Sequence, residues 1–227
     1  MSVLIIAEAG VNHNGSIDIA KQLIDVASNS GADVVKFQTF NANRQVTRTA
    51  KKADYQDQTS DKRESQYAML RRLELNEAMH HELIDHCAKR NIGFLSTGFD
   101  IKSIDLLVNL GQKCFKIPSG EITNFPLLVE IGKMKKKIIL STGMSNISEI
   151  KKALKILIEN GTKRDDISIL HCITAYPTPL KEVNLGAINN LKKKFNIFKR
   201  ESSVPPNDEV IIHNIKNAEL QTSICNK

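Results

Sequence analysis

Short apolar runs with strand character alternate along this chain with longer stretches in which apolar residues recur at helical spacing. Strands are predicted at Val3–Ala7, Asp33–Gln38, Ile92–Ser96, Lys113–Ile117, Lys137–Ser141 and Ile167–His171. An amphipathic segment from about Ser16 to Ser30, closed by Gly31, follows the first run. After the fifth, Asn146 and Glu149 stand at capping-box spacing ahead of Ile150, Ala153, Leu154, Leu157 and Ile158, with Gly161 beyond the end. A further helix is predicted over Leu185–Phe195. Consecutive strand-helix units imply a parallel sheet with right-handed crossovers, and their regularity favours a TIM-type (β/α) barrel over an open doubly wound sheet. A full barrel takes about 250 residues, and those after Phe195 are too few for two more units. The expectation is therefore an α/β fold, an incomplete (β/α) barrel with about six of eight units and two unpaired strand edges. The polar stretch Phe40–Gln66 carries six basic residues without strong periodicity and reads as a long loop over the strand ends.

Composition changes this picture little. The 227 residues are 41% hydrophobic and 25% charged, which suits one well-buried domain. The net charge of +7 would attract any anion and selects none. Lysine runs at Lys133–Lys137 and Lys192–Lys194 fall beside helix ends, as solvated faces do, and give little support to nucleic-acid binding. Cys87, Cys114, Cys172 and Cys225 contain no close pair suited to zinc or a redox dithiol, and three of them lie in apolar, core-like segments. The N-terminal apolar run lacks a basic leader and is too short to span a bilayer. A reducing cytoplasm is the expected compartment, with neither membrane nor nucleic acid as partner.

In parallel α/β folds the chemistry gathers where strands end. Glu8 and the Asn12-His13-Asn14 turn follow the first strand here, Lys36 and Gln38 end the second, and Ser96 and Thr97 end the third. Lys116, Ser119 and Glu121 follow the fourth, Ser141 and Thr142 the fifth, and His171, Thr174 and Tyr176 the sixth. Two lysines and several hydroxyls on one rim would make an anion pocket, since ammonium and hydroxyl donors together satisfy phosphate and carboxylate oxygens. Blander roles compete at each position. A strand-end lysine can snorkel to solvent, His13 can serve the turn before Gly15, and Ser119-Gly120-Glu121 can be a turn and helix cap. His80, His81 and His86 read as solvated or partly buried residues of one helix.

Six segments in register carry a resemblance. Ile6-Ala-Glu-Ala-Gly-Val-Asn-His-Asn-Gly15, Val35-Lys-Phe-Gln-Thr39, Phe94-Leu-Ser-Thr97, Lys116-Ile-Pro-Ser-Gly-Glu121, Leu140-Ser-Thr-Gly-Met144 and His171-Cys-Ile-Thr-Ala-Tyr-Pro-Thr-Pro179 resemble the signatures of the sialic acid synthase family. The likeness covers about Leu4 to Phe195, and Thr47–Leu75 resembles the neuraminate and legionaminate branches more than the pseudaminate branch. It implies condensation of phosphoenolpyruvate with an N-acetylated amino sugar such as N-acetylmannosamine, giving a nine-carbon 2-keto sugar acid and phosphate. Carried over position by position, Lys36, Thr97, Lys116, Ser119 and Ser141 would hold phosphoenolpyruvate. Glu8 and Tyr176 would contact the sugar, with Glu8 the candidate for proton handling. The resemblance also implies a homodimer and a divalent metal, manganese or magnesium, that polarises the sugar aldehyde.

The pattern then breaks. In the resembled family a seventh strand carries Ser-Asp-His and an eighth a Lys-His-Phe-like motif, whose histidines hold the metal, and a small antifreeze-like domain follows. Neither motif is present after Phe195, and His213 in Val-Ile-Ile-His-Asn matches neither context, so metal ligands are assigned to none of these residues. The expected organisation is a partial barrel over 1–196, a divergent tail over 197–227 and no antifreeze-like domain. A frameshift or early stop would produce such a loss of register; finding the missing motifs in no frame of the downstream DNA would count against that hypothesis. On this view activity would be impaired, and the alternative is an inactive remnant that binds phosphoenolpyruvate or associates with a full-length synthase. Gly98 departs from the resembled proline and should loosen its turn.

Overall fold

The computed structural model describes residues 4–52, 64–175, 178–195 and 210–214. The described residues divide into two compact units, one formed by those within 4–112 together with 210–214 and the other by those within 113–195.

The first unit holds β1 (Leu4–Gly10), β2 (Val34–Thr39), β3 (Gly93–Gly98) and β7 (Val210–Asn214) in an all-parallel sheet ordered β3-β2-β1-β7. Its main helices are α1 (Ile17–Asn29) and α4 (Glu77–Lys89). Helix α1 starts where the Ser16 hydroxyl accepts the Ile19 N–H, and its apolar stripe of Ala20, Leu23, Ile24 and Ala27 is buried. Leu83 and Cys87 of α4 join that stripe against Ala7, Ala9, Val35 and Phe37 of the sheet. Polar clamps bind the two helices on their outer side, Lys21 to Glu82 at 2.7 Å and His86 to Asp25 at 2.8 Å. Short helices α2 (Ala42–Gln45) and α3 (Gln66–Arg72) meet through Phe40, Met69 and Leu73, and α5 (Ile101–Asn109) follows β3.

The second unit carries β4 (Cys114–Ile117), β5 (Lys137–Ser141) and β6 (Ile167–Leu170), again parallel and in chain order. Helices α6 (Phe125–Lys133), α7 (Ile147–Glu159) and α8 (Gly186–Phe195) belong to it. The capping box predicted for α7 is formed in both directions: Asn146 Oδ1 accepts the Ser148 and Glu149 N–H groups, and Glu149 accepts the Asn146 N–H at 2.8 Å.

All six expected strands are present within a few residues of their predicted bounds. Two expectations need correction. The stretch Phe40–Gln66 is not all loop, since α2 forms inside it; 53–63 lies outside the described residues. A seventh strand, β7, arises from the tail read as divergent, beyond the six strands expected, and lies parallel to β1, with Leu4 opposite Val210 and Glu8 opposite Asn214. That pairing covers an edge expected to be open. The described strands hydrogen-bond as a four-stranded and a three-stranded parallel sheet, the parallel α/β architecture expected.

Candidate functional site

Strand register in the first unit fixes which side chains meet. Glu8 stands opposite Lys36, and Gln38 opposite Thr97. Neighbouring strands in register present facing residues to the same side, so Glu8, Lys36 and Thr97 share one face. Lys36 is 5% exposed and forms an ion pair with the Glu8 carboxylate, while its Nζ donates to Thr97 Oγ1 at 3.4 Å. Three residues expected to serve substrate are thus gathered at the C-terminal ends of three parallel strands. The snorkelling alternative for Lys36 does not hold, because its ammonium is paired inside rather than carried to water.

A register shift follows the carboxylate. Between Glu8 and Gly10 the β1 register slips, so the strand runs on past its expected end at Ala7. Gly10 has φ +53°, and a Cβ there would stand 3.1 Å from Glu8 Oε1 and 3.6 Å from Gln38 Nε2. Only glycine combines that backbone with the close approach of both side chains.

Behind this face lies a polar layer that the sequence did not suggest. His80 is fully buried, correcting its reading as a solvated or partly buried residue. Its Nδ1 lies 2.8 Å from the Asn76 carbonyl and its Nε2 2.8 Å from Thr39 Oγ1, which is 2.6 Å from Ser96 Oγ. Gln112 grips the backbone of Ser96 from both sides, accepting its N–H at 2.8 Å and donating to its C=O at 3.0 Å. A side-chain amide there meets backbone groups of the edge strand β3. A signal for His80 existed: it shares helical spacing with Leu83 and Cys87, the buried face of α4.

His13 is equally buried, and its Nδ1 accepts the Gly15 N–H at 3.0 Å, the turn role weighed for it. Burial, followed by repulsion from His80, lowers its pKa to about 4. Its Nε2 has no protein hydrogen-bond partner in the structure.

In the second unit, Lys116 is 6% exposed and its Nζ donates to the Ile117 carbonyl at 3.1 Å. Ser119 opens a 3-10 turn, Ser119–Glu121. Glu121 accepts from Asn124 Nδ2 at 2.6 Å, and Asn124 in turn caps α6, so this carboxylate serves the turn and helix start. Ser141 is buried at the end of β5, 3.4 Å from Cys172 Sγ. The Thr142 hydroxyl donates to the Leu170 carbonyl at 2.8 Å, tying the ends of β5 and β6. His171 is half-buried. Tyr176 lies outside the described residues, as does Cys225. Of the three cysteines read as core, only Cys87 is fully enclosed; burial pushes its thiol up to about 12 and that of half-buried Cys114 to about 11.

No group of three or more His, Cys, Asp and Glu side chains suited to a metal occurs among the described residues. Nor is any described helix long and apolar enough to cross a membrane.

Fold and strand-end chemistry together define a parallel α/β protein that collects ammonium, carboxylate and hydroxyl groups where its strands finish. More narrowly, this chain belongs to the NeuB family, whose model matches residues 23–199. It is 57% identical over 194 residues to an N,N'-diacetyllegionaminic acid synthase of Campylobacter jejuni, a match covering 86% of this chain and 58% of the relative. An N,N'-diacetyllegionaminic acid synthase of Legionella pneumophila is 44% identical, over 87% of this chain and 56% of the relative. Among solved structures, the N-acetylneuraminic acid synthetase of Leptospira borgpetersenii in complex with citrate superposes with a TM-score of 0.73 at 30% identity, covering 86% of this chain and 62% of that one. The chain thus spans rather more than half the length of these relatives.

Proposed function

We propose that this chain provides the phosphoenolpyruvate-binding portion of a sialic-acid-type synthase, an enzyme that joins phosphoenolpyruvate to an N-acetylated hexosamine. The observation that carries this reading is the buried Lys36 ammonium held between Glu8 and Thr97 at parallel strand ends. Lysine is rarely buried without a task or a partner, and two relatives of the chain are named as N,N'-diacetyllegionaminic acid synthases.

In the proposed reaction the vinyl carbon of phosphoenolpyruvate attacks the sugar aldehyde, forming a carbon-carbon bond and leaving a cationic centre at the phosphate-bearing carbon. Water adds there and passes one proton to the former aldehyde oxygen, and the hydroxyl it leaves becomes the keto oxygen of the 2-keto acid as its own proton departs with the expelled inorganic phosphate. Lys36 and Lys116 would offset the donor's negative charge, with Thr97, Ser119 and Ser141 donating to its phosphate and carboxylate oxygens. Glu8 would release Lys36 as the anion arrives, freeing its carboxylate to contact the sugar and accept a proton, with Tyr176 as a second sugar contact. A divalent metal accompanies this chemistry in the resembled family, where it would polarise the sugar aldehyde; among the described residues no group of three or more His, Cys, Asp and Glu side chains could hold one, so no step above is routed through it.

We propose further that 1–196 forms the partial (β/α) barrel synthase portion and that the protein works in the cytoplasm. Legionaminate-type acceptors are favoured over pseudaminate-type ones by the 57% relative. The test is phosphate release from phosphoenolpyruvate with N-acetylmannosamine, with a diacetylated hexosamine and with a phosphorylated sugar. Release with the unphosphorylated N-acetylated sugars supports the reading. Background release despite tight phosphoenolpyruvate binding favours a non-catalytic binding role, and the absence of both release and binding refutes the reading.

A further inference from the structure

Hydrogen positions in the buried layer behind Lys36 follow from chemistry alone. The Asn76 carbonyl can only accept, so the His80 nitrogen 2.8 Å from it, Nδ1, carries a proton. Buried imidazole is held neutral, since desolvation lowers the His80 pKa against the opposing pull of the Asn76 bond. Nε2 is then a bare acceptor and must take the Thr39 hydroxyl proton. Having spent its one proton, Thr39 can bond Ser96 at 2.6 Å only by accepting. The order is fixed from end to end: Ser96 donates to Thr39, Thr39 to His80, and His80 to Asn76. His13 is set the opposite way, because its Nδ1 accepts the Gly15 N–H and its proton must sit on Nε2.

We propose that His80 is a positioning residue for the anion site, acting through Thr39 and Ser96 to hold the ends of β2 and β3 in place; this rests on the reading that Lys36 and Thr97 bind phosphoenolpyruvate. The link is strand geometry. Thr39 follows Gln38 and Ser96 precedes Thr97, and successive side chains on a strand point to opposite faces. A bond that ties Thr39 to Ser96 on the helix side therefore fixes where Gln38 and Thr97, paired in register, stand on the other side. The Thr97 hydroxyl is the group that receives Lys36 Nζ. Gln112 adds a second restraint by clamping the Ser96 backbone. Four residues from α4, β2, β3 and the turn before β4 thus converge on the strand end that presents Thr97, and none of them faces the ligand. Positional errors well under an ångström weaken a charge-assisted site, so such support would be felt in binding.

Two measurements on the 227-residue chain test this. In a nitrogen-15 histidine spectrum, His80 is expected to carry its proton on Nδ1 and His13 on Nε2; a proton on Nε2 of His80 overturns the relay. In calorimetric titration with phosphoenolpyruvate, Thr39→Val, which keeps the shape and removes the hydroxyl, should weaken binding about tenfold, while Thr39→Ser stays within about twofold of the parent. Equal binding by parent, Thr39→Val and Thr39→Ser overturns the positioning role while leaving the site reading intact. No binding by the parent chain removes the site reading and the positioning role together, with the spectrum still reporting the tautomers. Should Thr39→Val fail to fold, Ser96→Ala and His80→Gln replace it. Ser96→Ala breaks the far bond and should weaken binding; His80→Gln keeps an acceptor and should bind more tightly than His80→Leu, and failure of both comparisons overturns the proposal.

Discussion

His13 shows how a histidine inside an apolar core ties stability to pH. Its pKa is about 4 in the folded chain, lowered first by burial and then by His80, against an ordinary value of 6.5. Between those values the unfolded chain binds the extra proton and the folded chain does not, so stability rises with pH across that window. It is fully present above about 6.5, is lost as the pH falls, and levels off below about 4. From about pH 7 to about pH 4.5 the loss from His13 alone should be about 2 kcal/mol. Denaturant unfolding at both pH values, with His13→Gln as reference, checks this; an identical pH dependence for parent and variant contradicts it. The Lys36 and Glu8 pair gives a second prediction. Removing one charge leaves the other buried, so Lys36→Met should cost about 3 kcal/mol. The double variant Lys36→Met with Glu8→Gln should lose less than the sum of the singles, because their interaction is counted once. Additive losses in unfolding titrations would mean that the pair does not form. Lys36 and Thr97 were legible from strand-end position, whereas the pairing of Lys36 with Glu8 was not, since it depends on the register between β1 and β2, two strands more than twenty residues apart in sequence.

The join between β3 and α5 turns on Gly98. The glycine was expected to loosen its turn, but a Cβ at 98 would stand 2.7 Å from Ile104 Cδ1 and 3.3 Å from the Ile104 backbone nitrogen, and Ile104 is fully buried. Gly98 instead permits α5 to close onto the strand. Gly98→Ala should cost about 1–3 kcal/mol by overpacking, and adding Ile104→Val should recover part of it even though the valine alone is destabilising. Thermal melts of the three variants decide the matter; no rescue would place the strain elsewhere. Elements with full periodic signals, α1 and α7 above all, were readable because caps and apolar stripe agree. Strand β7 was not: Val210-Ile-Ile is a short apolar run set among polar residues, and what makes it a strand is the edge of β1, a partner about two hundred residues away in sequence.

At the scale of the molecule, family membership rests on similarity across most of the chain, while the chain itself spans little more than half of its relatives. What the proposed function asks of it is to hold a small, doubly acidic metabolite. Two of the lysines expected for that purpose are indeed buried at strand ends, Lys36 at 5% and Lys116 at 6% exposure. Burial of this kind costs stability unless a ligand or partner rewards it. Binding should also weaken with salt less than surface binding would, because buried charges are poorly screened.

The most direct measurement is calorimetric titration of the folded 227-residue chain with phosphoenolpyruvate, alongside Lys36→Met and Lys116→Met variants shown by circular dichroism to be folded. Saturable binding by the parent, weakened at least about tenfold in each variant, is the predicted result. A parent chain that binds no phosphoenolpyruvate, or lysine variants that bind it as well as the parent does, would contradict the account.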